Sequence, residues 1–181
     1  LRKLIASCFR EIDNNSVQIQ NDKRAFYCVY NGTDEPMFVA PFRGNGDFRS
    51  EECMELLQQS DIVVTNPPFS LFREFVSQIV KHNKQFLVIG NVNAITYKEI
   101  FDLIQNNKVW LGVNLGRGIS GFIVPEDYKQ YGSEIHVNEA GQTIIATNGC
   151  LWLTNLELNK RHEDINLTKL YLGNESKYPM Y

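Results

Sequence analysis

From Ser50 to Val113 short apolar runs alternate with amphipathic stretches, and no other feature restricts the fold of this 181-residue chain so tightly. Glu51 to Gln59 has helical spacing, with Ser50 placed as N-cap and two acids in the first turn. Asp61-Ile62-Val63-Val64-Thr65 reads as a strand. A helix follows over about Ser70 to Lys81, where Leu71, Phe72, Phe75, Val76, Ile79 and Val80 form one stripe. Phe86-Leu87-Val88-Ile89-Gly90 is apolar enough for a buried strand, and a helix over about Tyr97 to Gln105 precedes a further strand, Val109 to Val113. Strands and helices on this beat predict an α/β fold whose sheet is mostly parallel, with right-handed crossovers.

The flanks have a different texture. Leu4 to Phe9 and Ala25 to Tyr30 read as strands, the second ending in the turn pair Asn31-Gly32, with Met37 to Ala40 as its hairpin partner. After about residue 114 come short alternating runs, Gly121 to Val124, Glu134 to Val137, Thr143 to Ala146 and Leu151 to Thr154, which predict an antiparallel hairpin region towards the C-terminus. Residues 1–155 are expected to form one domain and the charged, Asn-rich residues 156–181 a peripheral segment.

Composition narrows the class. A chain with 43% hydrophobic and 22% charged residues buries a core, and a net charge of -3 argues against a surface that grips nucleic acid all over, while leaving room for a local basic patch. Cys8, Cys28, Cys53 and Cys150 include no C-x-x-C pair and lie far in sequence from His82, His136 and His162, so no metal site is expected and the thiols read as reduced. No apolar run approaches the roughly 20 residues that span a bilayer, so no membrane association is expected and the cytoplasm is the expected location. A first residue, Leu1, that is not Met, followed almost at once by a strand, leads us to expect that the sequence starts inside a longer protein.

Asn66-Pro67-Pro68-Phe69 stands directly after one strand and before a helix, where open α/β sheets bind their ligands. The two prolines fix φ and remove two backbone donors, leaving the Asn66 side chain and the Pro67 carbonyl as acceptors on a stiff loop. Two rigid acceptors beside an aromatic ring suit the capture of an exocyclic amino group. Accepting both N–H bonds favours a pyramidal, more nucleophilic nitrogen and stabilises the positive charge that develops on it. Phe69 would stack on a base flipped out of a duplex. Read structurally instead, the tetrapeptide is a strand-to-helix turn with Pro68 near the first helical position and Phe69 in the core.

These four residues, with Gly44-Asn45-Gly46-Asp47-Phe48-Arg49-Ser50, the strand and helix from Asp61 to Glu74, Ile89-Gly90-Asn91 and Ala94 to Phe101, resemble the EcoRI-type adenine-specific DNA methyltransferase family. The similarity covers most of residues 1–115 and is weaker beyond. It implies a Rossmann-like methyltransferase sheet, S-adenosylmethionine as cofactor, double-stranded DNA as partner and transfer of a methyl group to adenine N6, as part of a restriction–modification system. Attack is then direct, with no covalent enzyme intermediate and no metal. The family's catalytic motif falls on Asn66, Pro67, Pro68 and Phe69. Asp47 and Phe48 match its acidic cofactor motif, the Asp47 carboxylate accepting from the cofactor's adenine and the Phe48 amide donating to the ring, with Asn66 also at the cofactor. As a plain structural residue, Asp47 would be a turn residue after Gly46. Asn-Pro-Pro-Phe also resembles the motif of amino-group methyltransferases acting on RNA or protein, and a chain short of part of its cofactor site could be a non-catalytic fragment or a nucleic-acid-binding module.

Phe42-Arg43-Gly44-Asn45-Gly46 spells the family's glycine-rich Phe-x-Gly-x-Gly, yet lies about 20 residues before Asn66, too close for the strand–helix units that normally separate the two. Gly44 and Gly46 are therefore read as turn glycines, and the true glycine loop is expected upstream of Leu1. Gly116-Arg117-Gly118-Ile119-Ser120-Gly121 spells G-x-G-x-x-G but leads into a strand, which is the wrong context for a dinucleotide. Arg43, Arg49, Arg73 and Arg117 are the candidate DNA contacts, or otherwise solvated surface arginines. Trp110 and Trp152 read as core, and His82 as a helix C-terminal charge.

Overall fold

The computed structural model describes residues 2–10, 24–32, 36–112, 119–125, 127–129, 135–147, 149–163 and 171–177. Val113, Gly116, Arg117, Gly118 and Glu134, which enter the sequence reading, lie outside them. Among the described residues the fold is mixed α/β, with one four-stranded mixed sheet and two three-stranded antiparallel sheets.

The first antiparallel sheet is β1 (Leu4–Ser7), β2 (Phe26–Tyr30) and β3 (Phe38–Pro41), in that order. The mixed sheet is built around β4 (Ile62–Thr65) and β5 (Gln85–Asn91), which pair in parallel from Ile62↔Gln85 to Thr65↔Val88. Helix α1 (Glu51–Gln59) enters β4, and α2 (Phe72–Lys81) links β4 to β5. Ser50 caps α1 as expected, its side chain accepting from the Cys53 amide. On α2 the buried residues Phe72, Val76 and Ile79 recur at i, i+4 and i+7, and they meet Phe86 and Val88, which alternate along the buried face of β5. Phe72 lies against Gly90, where a Cβ atom would stand 2.6 Å from its Cζ, so the glycine makes the space that seats the ring at the carboxyl end of β5.

The expected helix from Ser70 is resolved into a 3₁₀ turn, Phe69–Leu71, followed by α2 from Phe72. Pro68 has φ −56° and its carbonyl accepts from the Leu71 amide at 3.0 Å, an i→i+3 bond that tightens the entry turn. A second 3₁₀ turn, Val92–Thr96, leaves β5 and leads to α3 (Lys98–Gln105), with Tyr97 at the cap.

The mixed sheet departs from the expected mostly parallel one. Its order is β4-β5-β10-β6, with β6 at Trp110–Leu111 and β10 at Cys150–Thr154. One of the three ladders is parallel; β10 runs antiparallel to both neighbours, so β4, β5 and β6 share a direction while β10 runs the other way between the last two. Leu151 to Thr154 therefore belongs to the main sheet rather than to the hairpin region. Burial explains the placement: Leu151 and Leu153 join the core cluster, and the buried Thr154 hydroxyl donates to the Phe86 carbonyl at 2.5 Å. Asn155 then extends the ladder, accepting from the Phe86 amide at 2.7 Å and donating to the Lys84 carbonyl at 2.9 Å. The C-terminal antiparallel sheet contains β7 (Ile119–Ile123), β9 (Thr143–Thr147) and β8 (Ile135–Val137), in that order. Trp110 and Trp152 are half-buried in their strands.

Candidate active site

The carboxyl end of β4 delivers Asn66-Pro67-Pro68-Phe69 directly. Pro67 is buried and anchors the loop, whereas Asn66 and Pro68 are exposed and Phe69 keeps 43% of its surface. Among the described residues neither the Asn66 side chain nor the Pro67 carbonyl has a hydrogen-bond partner, so both acceptors are unpaired. Phe69 is not in the core cluster, whose aromatic member from this segment is Phe72. The turn geometry and the open acceptors coexist here.

The segment 43–50 forms a second, independently held loop. The amides of Arg43 and Gly44 donate to the two carboxylate oxygens of Glu52 at 2.9 and 3.0 Å, and these bonds, the Arg43 amide foremost, hold the Glu52 carboxyl below its usual range. Those amides are committed within the chain, which agrees with Gly44 as a turn residue. Gly46 has φ +73°, and a Cβ there would stand 2.3 Å from the Cys8 carbonyl oxygen. Only glycine fits. Gly46→Ala is expected to lower stability by about 1–3 kcal/mol, read as a fall in thermal midpoint; an unchanged midpoint would mean the loop has another way to close.

Past Gly46, the Asp47 carboxylate is gripped by Arg49 through Nε at 2.8 Å and Nη2 at 2.6 Å, with the Arg49 amide adding a third bond at 2.9 Å. The Arg49 side chain is the main reason that the Asp47 carboxyl lies below its usual range, while partial burial opposes it. Arg49 also reaches Glu74 of α2 at 3.5 Å. Phe48 meets Phe75 edge to face at 5.1 Å between centroids, and Gln78 donates to the Phe48 carbonyl at 2.8 Å. The Phe48 amide has no partner among the described residues.

The structure thus brings Asp47, Phe48 and Arg49 together with α2, the helix that Asn66–Phe69 initiates. Arg73, in the first turn of that helix, lies 5.4 Å over the Tyr97 ring and has no carboxylate partner among the described residues. Arg43 is exposed and pairs with Glu52 at 3.4 Å. Arg117 lies outside the described residues. Glu52 and Gln78 are structural partners of the site that the sequence reading did not single out, while Glu74, Phe75 and Gly90 entered it only as parts of a helix stripe, a strand and the family resemblance. The one available signal was Gly90, because an isolated glycine inside a strand pattern marks a close approach.

All four cysteines are free. Burial raises the Cys53 thiol above its usual pKa, the opposite of an activated nucleophile. Among the described residues no group of three or more His, Cys, Asp or Glu is placed to hold a metal ion, and no helix is long and apolar enough to cross a membrane.

Fold and loop together define a class, an α/β protein that presents two rigid acceptors and an exposed ring at a strand's carboxyl end. Comparison with known proteins takes the assignment further. The family described as adenine-specific methyltransferase EcoRI matches residues 1–181. Type II methyltransferase M.EcoRI of Escherichia coli is 54% identical over 187 residues, covering the whole of this chain and 57% of that protein. Type II methyltransferase M.MpnI of Mycoplasma pneumoniae is 38% identical over 183 residues, covering all of this chain and 53% of that protein. Type II methyltransferase M.MgeORF184P of Mycoplasma genitalium is 40% identical over 183 residues, covering all of this chain and 54% of that protein. No solved structure matches. The chain belongs to the adenine-specific methyltransferase EcoRI family, and it spans about half the length of the curated relatives it matches.

Proposed function

We propose that this chain carries the amino-methylating site of a type II DNA methyltransferase, which transfers a methyl group from S-adenosylmethionine to N6 of an adenine flipped out of double-stranded DNA. The observation that carries this reading is the pair of open acceptors, Asn66 and the Pro67 carbonyl, next to the exposed Phe69 at the end of β4 in a chain of this family. We place the protein in the cytoplasm, as the modification half of a restriction–modification system. Its catalytic unit would comprise residues 1–155 on a Rossmann-like methyltransferase sheet, with residues 156–181 peripheral.

Asn66 Oδ1 and the Pro67 carbonyl would accept the two amino hydrogens, hold the nitrogen lone pair out of the ring plane and disperse the positive charge that builds on nitrogen. Pro67 and Pro68 keep the acceptors from relaxing, so their geometry is prepaid. The residues present suit the adenosine end of the cofactor: Asp47 offers a carboxylate acceptor and Phe48 an unpartnered amide donor on the loop tied to α2. When bound, S-adenosylmethionine supplies a methyl group on a positively charged sulfur. Arg43, Arg73 and Arg117 are proposed to meet DNA phosphates.

Phe69→Ala is expected to slow methylation of duplex DNA by about tenfold or more, since stacking on a flipped base is worth roughly 1–3 kcal/mol, while Phe69→Trp keeps most of the rate. Equal rates for wild type and Phe69→Ala would remove Phe69 from the site. The test of the function is to offer the whole protein labelled S-adenosylmethionine with unmethylated duplex DNA, structured RNA or bulk protein. Label in DNA alone is expected. Label in RNA or protein with DNA unlabelled, or in none of the three, would overturn the proposal.

A further inference from the structure

The buried stripe of α2 is Phe72, Val76 and Ile79, and a neighbouring face of the same helix presents Glu74, Phe75 and Gln78 to the loop that holds Asp47. Each of the three touches the segment 47–49: Glu74 pairs with Arg49, Phe75 packs on Phe48, and Gln78 holds the Phe48 carbonyl. Arg49 is the member that joins the two sides. Its fork spans both Asp47 oxygens, its guanidinium lies 5.4 Å over the Phe48 ring, and its remaining nitrogen reaches Glu74.

An ionised carboxylate has about four acceptor sites, two on each oxygen. Asp47 Oδ1 takes two N–H groups of Arg49, whereas Oδ2 takes one. One acceptor site, on Oδ2, is left without a partner among the described residues.

Resting on the function proposed above, we propose that Arg49 is a positioning residue: it locks the Asp47 carboxylate so that the free Oδ2 site accepts an amino hydrogen of the cofactor's adenine, and it fixes that carboxylate to the helix that begins at the Asn66–Phe69 loop. The part that reads the cofactor and the part that captures the substrate amine then share one rigid reference, α2. Arg49 already faces two carboxylates, so it has little charge to offer a DNA phosphate. Arg73, with none among the described residues, is better suited to that role.

The test is S-adenosylmethionine binding to the whole protein without DNA, with DNA binding across a salt series and steady-state kinetics beside it. For Arg49→Ala we expect cofactor affinity to fall about tenfold and KM for the cofactor to rise by a similar factor. At saturating cofactor kcat should stay within about twofold, the pattern of lost uniform binding. The salt dependence of DNA binding should not change. Arg49→Lys should restore only part of the affinity, because an ammonium cannot make the two-pronged contact. Glu74→Gln should weaken cofactor binding in the same direction by less. Arg49→Ala that binds cofactor like wild type, or that loses DNA affinity with a salt slope shallower by about one ion instead, would overturn this inference alone. A wild-type protein that binds no S-adenosylmethionine would overturn the function on which it rests.

Discussion

Asn66→Ala is expected to slow methyl transfer by about 10²–10³-fold, the scale on which enzymes lose rate when one preorganised polar partner of a developing charge is removed. Asn66 is exposed, and its side chain makes no hydrogen bond among the described residues, so its truncation leaves the fold alone. The thermal midpoint should move by little, since surface substitutions of this kind stay within about 0.5 kcal/mol. Single-turnover transfer to duplex DNA reads the effect without interference from product release. Asn66→Asp keeps an oxygen acceptor in place and should retain more of the rate than the alanine variant. If Asn66→Ala transfers methyl groups as fast as wild type, the acceptor pair is not where the chemistry happens.

Phe72→Ala acts on the other quantity, stability, and should lower it by about 3–5 kcal/mol, the range for deleting a buried aromatic ring. Phe72 is fully buried, and its ring fills the space that Gly90 leaves open. For a chain of this size about 2–4 °C of midpoint accompanies each kcal/mol, which predicts a fall of roughly 6–20 °C in thermal unfolding. Phe72 is also the residue on which the 3₁₀ turn Phe69–Leu71 gives way to α2, so the entry turn loses its anchor with the ring. A shift of under about 2 °C would mean that the α2–β5 contact contributes far less than its burial implies.

The middle of the fold was open to reading because its signals are local. Ser50 with two acids behind it, the stripe on α2 and the alternation in β5 each declare themselves within ten residues, and the elements stand within a residue or two of their expected limits. The entry to α2 differs because two prolines favour a tight i→i+3 turn before the α-helix can start. Leu151 to Thr154 was recognisable as a strand, but nothing in its letters could say that it pairs with β5, some 60 residues earlier, rather than with the hairpin next to it. Pairing between distant strands is decided by burial of both faces, which no short window contains.

The site divides along the same line. Asn66-Pro67-Pro68-Phe69 is contiguous, and the stiffness of two prolines is a property of the residues themselves, so both the open acceptors and the exposed ring were readable. The pairing of Arg49 with Asp47 lies two residues away in sequence and was still missed, because both were assigned to outside partners, one to cofactor and one to DNA. Three-dimensional placement supplied what was lacking: Glu74, Phe75 and Gln78 are spaced for one face of a helix, and only the structure puts that face against the 43–50 loop.

The most direct test of the central claim is the identity of the methylated base. The whole protein is incubated with labelled S-adenosylmethionine and unmethylated duplex DNA, the product is digested to nucleosides, and Asn66→Ala is run in parallel. The label should run with N6-methyldeoxyadenosine and fall to near background in the variant. Label in a ring-carbon product such as 5-methyldeoxycytidine, or label in N6-methyldeoxyadenosine that is undiminished by Asn66→Ala, would contradict an amino-group acceptor site built on Asn66 and the Pro67 carbonyl.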